Sequence, residues 1–224
     1  MIVAALILML GVQETPQPPL PAGDPNPGPR SDRLEDLEQR RQPLPASTPA
    51  GLRAIQQFGA CVADASTAKA RTTLSGDFRT PAYRRAMDQM VEANRMCPSF
   101  RGYNRLRASR LLFAGAVAER LIERDGVPVN RELAKAATKP AASSYSPTDT
   151  AAMCVVRSVP DDVAKLFATE IATPAEQSAA AGLQPAMAMC MNSRRVEVTT
   201  DGLRAMLATA AFRSIHAASA APKG

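Results

Sequence analysis

Residues 61–97 read CVADASTAKARTTLSGDFRTPAYRRAMDQMVEANRMC, and residues 154–190 read CVVRSVPDDVAKLFATEIATPAEQSAAAGLQPAMAMC. Both stretches begin and end with cysteine, and a shift of 93 residues places the first on the second. In this alignment 9 of 37 positions are identical, and they include both cysteines, a Thr-Pro-Ala segment and the final Met-Cys. Alanine-rich composition explains some identities, but not cysteine and Thr-Pro in one register. The sequence therefore predicts a duplicated unit.

The four cysteines, at positions 61, 97, 154 and 190, allow three disulfide pairings. A duplicated unit should carry its own bridge, so the repeat selects Cys61–Cys97 and Cys154–Cys190. Disulfides indicate an oxidising compartment. The spacing excludes a redox C-x-x-C motif, and the cysteines lack the nearby partners of a zinc site. The alternative is a cytosolic protein with four buried free thiols.

The composition favours closely packed helices. Aromatic residues make up 4% of the chain, tryptophan is absent and alanine is abundant, whereas a β-sandwich would need many β-branched and aromatic residues. The apolar series Leu52, Ile55, Phe58 and Val62 has helical spacing. We therefore predict an all-α fold, in which a tandem pair of short helical repeats packs as a pseudo-twofold bundle and each repeat contains one disulfide.

Helix boundaries follow from Ser, Thr, Pro and Gly. Thr80-Pro81 and Thr173-Pro174 are predicted helix starts, because the hydroxyl accepts from a free N–H and proline has none to lose. Ser66 and Ser109 are candidate caps, and the helix after Ser109 should expose Glu119. In the second copy, residues 182–185 (Gly-Leu-Gln-Pro) should break the helix. Residues 195–199 are expected to form a short strand or extended link, and Thr200 or Asp201 should cap a closing helix.

Six segments are predicted. Residues 2–12 are apolar, too short for a membrane-spanning helix but typical of a signal peptide. Ten of the 19 prolines lie between residues 16 and 49, which indicates a disordered spacer. The predicted boundaries are 1–15 for a signal peptide or weak anchor, 16–49 for the spacer, 50–126 for repeat 1, 127–146 for a linker, 147–217 for repeat 2 and 218–224 for a disordered tail.

One basic segment is a candidate binding site. The chain carries a net charge of +6. Several arginines and one tyrosine lie close together in the segment that follows the second cysteine of the first repeat. Such residues bind phosphates and stack on sugars or bases. If the protein is exported, the expected partners are anionic lipid, lipopolysaccharide or cell-wall polymer, and not nucleic acid. The candidate residues are Arg101, Tyr103, Arg105, Arg107 and Arg110; the alternative is a solvated basic loop.

Catalytic signatures are weak. Ser66-x-x-Lys69 matches the S-x-x-K pattern of penicillin-recognising enzymes, but neither S-D-N nor K-T-G occurs. His216, the single histidine, is expected to face solvent. The carboxylate pairs Asp161/Asp162 and Glu119/Glu123 have ordinary structural explanations. We predict no catalytic residues, no metal and no cofactor.

The order Cys-Val, short helix, Thr-Pro and Cys, followed by a basic loop and residues 111–121 (LLFAGAVAERL), resembles a group of small exported alphaproteobacterial proteins with a duplicated, cysteine-containing helical repeat. The resemblance covers roughly residues 50–215. The tyrosine expected at the end of the closing helix is absent from both copies. The resemblance implies export to the periplasm or outside the cell, and it implies no known activity.

These observations favour an exported, non-enzymatic helical protein with a binding or structural role in the periplasm or at its membranes. The first alternative is a periplasmic enzyme with a site between the two repeats. The second is a cytosolic basic protein that contacts nucleic acid.

Overall fold

The computed structural model of the protein describes residues 48–97, 109–192 and 198–217. These residues form α-helices and no strands, and they belong to one compact unit, Ala46–Gly224. The all-α prediction is confirmed. The helices are α1 (Pro49–Ala65), α2 (Thr67–Leu74), α3 (Pro81–Ala93), α4 (Arg110–Arg124), α5 (Val129–Ala137), α6 (Pro147–Ser158), α7 (Pro160–Phe167), α8 (Pro174–Gly182), α9 (Gln184–Cys190) and α10 (Thr200–Ala217).

Several predictions lie outside the described residues. They concern the signal peptide, nearly all of the spacer, most of the arginine-rich segment, most of the extended link at 195–199 and the C-terminal tail. The division into repeats 50–126 and 147–217 stays a prediction.

Four helices begin with a Ser-Pro or Thr-Pro pair. In each, the hydroxyl oxygen accepts a hydrogen bond from the backbone N–H three residues later, at distances of 3.1–3.3 Å, and proline occupies the first helical position. The predicted starts at Thr80 and Thr173 are thus confirmed. Ser109 caps α4 in the same manner through the Leu112 N–H, at 3.2 Å. The four Ser/Thr-Pro caps are Thr48, Thr80, Ser146 and Thr173.

Both predicted disulfides are present. Cys61 bonds to Cys97 and Cys154 to Cys190, and the paired Cα atoms are 5.9 and 5.8 Å apart. In the first half of the chain (α1–α4), the bridge joins α1 to the end of the region that begins with the Thr-Pro helix α3. In the second half (α6–α10), it joins α6 to the end of the corresponding region. In the second half this region is divided into α8 and α9, as the sequence of residues 182–185 predicts.

The core is built around α10, which packs against α4 and α6 and also contacts α2, α5, α7, α8. Leu207, Ala208, Ala211 and Phe212 of this helix are fully buried. At its crossing with α4, a Cβ atom on Gly115 would lie 2.5 Å from the Ala205 Cα, so only glycine permits this approach. No helix in the described part of the chain is long and apolar enough to cross a bilayer.

Four local predictions are wrong. Thr199, and neither Thr200 nor Asp201, caps α10, because its hydroxyl accepts from the Gly202 N–H at 3.2 Å. Glu119 does not face solvent but is 3% exposed, because an arginine of α10 reaches it through the interface between α4 and α10. Ser66 precedes α2, but its side chain makes no capping hydrogen bond and instead meets the Asn94 amide nitrogen at 3.0 Å. His216 is only 18% exposed, because it stacks on Phe212 one helical turn earlier.

Candidate functional site

Among the predicted binding residues, Arg110 is the one that the structure describes. Arg101, Tyr103, Arg105 and Arg107 lie outside the described residues. Arg110 begins α4, and its Nε atom is 3.4 Å from the Asp88 carboxylate. Both side chains are more than half exposed, so this ion pair contributes little to stability.

Arg110 also lies at the edge of a cavity of about 330 Å³. One side of the cavity is formed by the α2–α3 turn, α3 and α4, and the other by the start of α6 and by α10. Its volume is within the range of small-molecule sites. Apolar side chains contribute much of the wall: Leu74, Phe78, Leu111, Ala114 and Met206.

Tyr83 supplies a hydrogen-bond donor to this apolar space. The backbone N–H of Tyr83 donates to the Thr80 hydroxyl, and this cap fixes the start of α3 and places the Tyr83 ring in the cavity wall. Burial raises the pKa of Tyr83 to about 12, so the phenol is neutral at physiological pH. The hydroxyl has no hydrogen-bond partner among the described residues. A ligand oxygen is therefore a suitable acceptor for it.

Arg84 follows Tyr83 on α3 and also lines the cavity. Its guanidinium forms no ion pair and no hydrogen bond with a described residue. Arg84 and the weakly paired Arg110 thus place two cations beside an apolar space. This combination favours a ligand that has an apolar body and an anionic end.

A buried ion pair holds the far side of the cavity. Arg213 of α10 forms a bidentate pair with Asp149, whose Oδ2 atom lies 3.0 Å from Nη1. Asp149 also accepts from the Tyr145 N–H at 2.8 Å. The Arg213 guanidinium lies 5.3 Å from the centre of the Tyr145 ring. Asp149 is therefore fully engaged in positioning α10 against α6.

A second buried ion cluster lies on the other side of α10. Arg204 contacts Glu119 of α4 and Glu176 of α8, and the latter pair is 3.1 Å apart. Its guanidinium also donates to three main-chain oxygens at the end of α7, at distances of 3.0–3.1 Å. Carbonyls at the end of a helix lack most of their intrahelical partners, so Arg204 stabilises the C-terminus of α7, where the Leu166 carbonyl also accepts from the Thr169 N–H and hydroxyl. The three acceptors are the carbonyls of Leu166, Phe167 and Thr169.

The Arg204 cluster shows how charge is retained inside this core. Burial raises the pKa of Glu119, although the hydrogen bonds and charge of Arg204 act in the opposite direction. Burial would also lower the pKa of Arg204, but Glu119 and Glu176 outweigh that effect and raise it. The guanidinium therefore stays charged and is fully hydrogen-bonded.

The other sequence candidates have structural partners. The Lys69 ammonium lies 3.3 Å from the Gln89 side-chain oxygen, while Ser66 contacts Asn94, so the S-x-x-K pair is not assembled. Asp161 accepts from Asn130 at 2.7 Å, and Asp162 pairs with Lys165 at 2.8 Å.

His216 connects the end of α10 to two neighbouring segments. Its Nε2 atom contacts Arg71 and lies 3.3 Å from an Asp125 oxygen, and its Nδ1 atom lies 2.9 Å from the Phe212 carbonyl oxygen. Within the described residues, no group of three or more His, Cys, Asp and Glu side chains is arranged to hold a metal ion.

Sequence reasoning missed both buried clusters, although their acids carried a signal. Asp149 and Glu176 each follow a Ser-Pro or Thr-Pro cap by three residues, the position of the acid in a capping box. Each carboxylate also accepts from the backbone N–H just before the cap residue, at 2.8 and 2.7 Å. The missing information was that both acids face an arginine of α10.

Comparisons with known proteins give no assignment. The sequence matches no family model, and it is not significantly similar to any curated protein or solved structure. Functional inference for this chain therefore depends on the cavity and its surroundings.

Proposed function

We propose that this protein is an exported, non-enzymatic binding protein and that the cavity beside Tyr83 and Arg84 holds a small amphipathic anion. The observation that carries the proposal is the apolar space of about 330 Å³, with a phenol in its wall and an arginine beside it, neither of whose side-chain polar groups has a partner among the described residues. An alkyl carboxylate fits this chemistry. Its chain would be removed from water by Leu74, Leu111 and Met206, and its carboxylate would accept from Tyr83 and Arg84.

Export is supported by both disulfides, since such bonds persist in oxidising compartments. We place the protein in the periplasm or outside the cell. Its basic segment, Arg101 to Arg110, then serves as a surface for an anionic lipid, lipopolysaccharide or cell-wall polymer, and it ends at the cavity's edge. Blocking free thiols with a maleimide in intact cells before lysis tests the compartment, because the proposal expects no labelled cysteine.

We also infer that the two halves are copies of one helical unit packed as a pseudo-twofold pair. The support is the common separation of 93 residues between equivalent cysteines and between the Thr-Pro helix starts. In this arrangement the cavity is located between the copies.

An enzyme that uses the same cavity is the alternative. Asp149 is the carboxylate among the described lining residues, and Arg213 and the Tyr145 N–H already bind it. Because a general base needs an available oxygen, this carboxylate is better suited to holding α10 than to taking a proton from a substrate.

Calorimetric titration of the disulfide-intact protein with hexanoate, octanoate and decanoate tests the binding proposal. Each added methylene should lower Kd by about fourfold until the cavity is full, since a buried CH₂ contributes about 0.8 kcal/mol. Octylammonium, which has the same body and the opposite charge, should not bind. Recovery of unchanged octanoate after incubation would separate binding from turnover.

Arg84→Gln should weaken octanoate binding by roughly tenfold, the scale of one charged hydrogen bond. The matched control is Arg85→Gln, which makes the same charge change at an exposed neighbour that does not line the cavity. Equal effects of the two substitutions, or equal binding of octanoate and octylammonium, would refute the proposed site.

A further inference from the structure

The space around Arg204 is a second cleft between the two halves. It is formed by α1 and α4 from the first half and by the segment after α7, α8 and α10 from the second. The Arg204 side chain, which is 6% exposed, lies in the wall of this cleft, and only about 30 Å³ of it is open. The cleft therefore contains its own occupant, a cation held by two carboxylates and by the end of a helix.

Several positions that surround Arg204 have counterparts in the lining of the open cavity. Subtracting the repeat offset of 93 residues converts Arg204 to Leu111 and Glu176 to Tyr83, and both of these line the open cavity. Ile171, which also lines the second cleft, converts to Phe78, and Phe167 and Thr169, which accept from Arg204, convert to Leu74 and Gly76. The remaining second-half lining residues, Asp201 and Ala205, do not convert to described lining residues of the open cavity.

A correspondence is also found for the first-half wall of the second cleft, when 93 is added to its residue numbers. Three of the seven first-half residues that line the second cleft, moved forward by 93, become second-half residues that line the open cavity. The two halves therefore exchange roles between the two clefts, which is what a twofold relation between copies produces. The pairs are Ile55 with Thr148, Gln56 with Asp149 and Ala116 with Thr209.

We propose that the two clefts are versions of one site, that Arg204 permanently occupies the second version, and that Leu111 and Tyr83 are the specificity-determining residues that keep the first version open. The ligand in the open version rests on the function proposed above. The correspondence of the clefts rests instead on the 93-residue repeat.

The residues that differ between the two clefts explain why one is filled and the other is open. Leu111 has no hydrogen-bond donor for the end of α2, where Thr73, Leu74 and Gly76 are 93 residues before the three residues whose carbonyls accept from Arg204. Tyr83 replaces the carboxylate that would hold a cation. The open version therefore lacks a cation at the position of Arg204 and has a neutral donor at the position of Glu176, and with Arg84 beside it the preference is for an anion.

Transplanting the second cleft's pair into the first tests this proposal. Tyr83→Glu alone should lower the urea midpoint, since it places an unpaired carboxylate in a mostly buried position. Adding Leu111→Arg should recover most of that loss, because the new guanidinium can pair with residue 83 and with the end of α2. The control, Tyr83→Glu with Leu111→Met, supplies a long side chain without charge and should recover none.

The readouts separate this proposal from the proposed function. Recovery by arginine but not by methionine supports the correspondence, even if the natural protein fails to bind octanoate, in which case only the proposed function is wrong. If the Tyr83→Glu variant does not fold, restoration of folding by adding Leu111→Arg, and not by adding Leu111→Met, also supports the correspondence.

Octanoate binding by the arginine double variant tests whether the transplanted pair closes the cleft. The filled cleft should bind at least tenfold more weakly than the natural protein. Absence of recovery overturns the correspondence, and recovery with undiminished octanoate binding overturns the assignment of Leu111 as the residue that keeps the cleft open.

Discussion

Replacing Arg204 with methionine should be among the most destabilising single changes in this protein. The substitution keeps a long side chain but removes the guanidinium that contacts Glu119, Glu176 and the end of α7. Loss of one partner from a buried ion pair costs about 3–5 kcal/mol, since the remaining charge stays buried. Typical domains have a total stability of about 5–15 kcal/mol.

Urea unfolding monitored by far-UV circular dichroism, with the disulfides intact, measures this effect. For a slope of about 2 kcal/mol per molar urea, the expected loss lowers the midpoint by about 2 M. Adding Glu119→Gln to Arg204→Met should recover part of the loss, because it removes one of the unpaired charges.

Arg120→Met is the matched control. Arg120 is one residue from Glu119 and pairs with Asp64 at 3.1 Å, but it is 37% exposed. Exposed pairs contribute about 0–1 kcal/mol, so the midpoint should barely change. Equal midpoints for the Arg204 and Arg120 variants would refute the view that the inner cluster organises α10.

Three further predictions concern the bridges, the phenol and the helix crossing. Replacing Cys61 and Cys97 with alanine should lower the free energy of unfolding by about 4 kcal/mol on a chain-entropy estimate. The urea unfolding curves of the variant and of the natural protein give this difference, and a change below about 1 kcal/mol would contradict the prediction. Ultraviolet titration of tyrosinate should reveal a group with a pKa of about 12 that disappears in Tyr83→Phe, and a group near 10 instead would be evidence against burial. Because the pKa of folded Tyr83 exceeds the ordinary tyrosine value of 10.0, its contribution to stability is complete below about pH 10 and is lost as the pH rises through about 12. Gly115→Val should lower stability by about 1–3 kcal/mol through overpacking against α10, whereas Gly182→Ala, with open space around the glycine, should not; thermal melts compare them.

The sequence was sufficient for the features set by local rules. A hydroxyl followed by proline predicts a helix start wherever it occurs, so Thr80 and Thr173 could be placed without any tertiary information. The disulfide pairing followed from the duplication, because equal spacing in two copies reduces three pairings to one. The same local signal at Ser146-Pro147 was available, although the segment resembles a linker in composition.

The candidate site was less accessible because it depends on contacts between distant segments. Glu119 has charged neighbours in sequence, which is typical of an exposed helix face. Its burial depends on Arg204, which lies 85 residues later. The cavity likewise brings Tyr83 and Arg84 of the first half together with Asp149 and Arg213 of the second. No pattern within either half shows this proximity.

His216 illustrates the same limit. An alanine-rich segment near the C-terminus predicts a frayed, solvated end. The ring is instead held between Phe212, Arg71 and Asp125, and the last two come from the other half of the chain. Local composition was therefore a poor guide to the end of α10.

A crystal structure of the disulfide-intact protein with octanoate tests the central claim most directly. The account predicts one octanoate in the cavity, with its chain against Leu111 and Met206 and its carboxylate within hydrogen-bond distance of the Tyr83 hydroxyl. Octanoate bound elsewhere, or a cavity closed by the protein's own side chains, would contradict it.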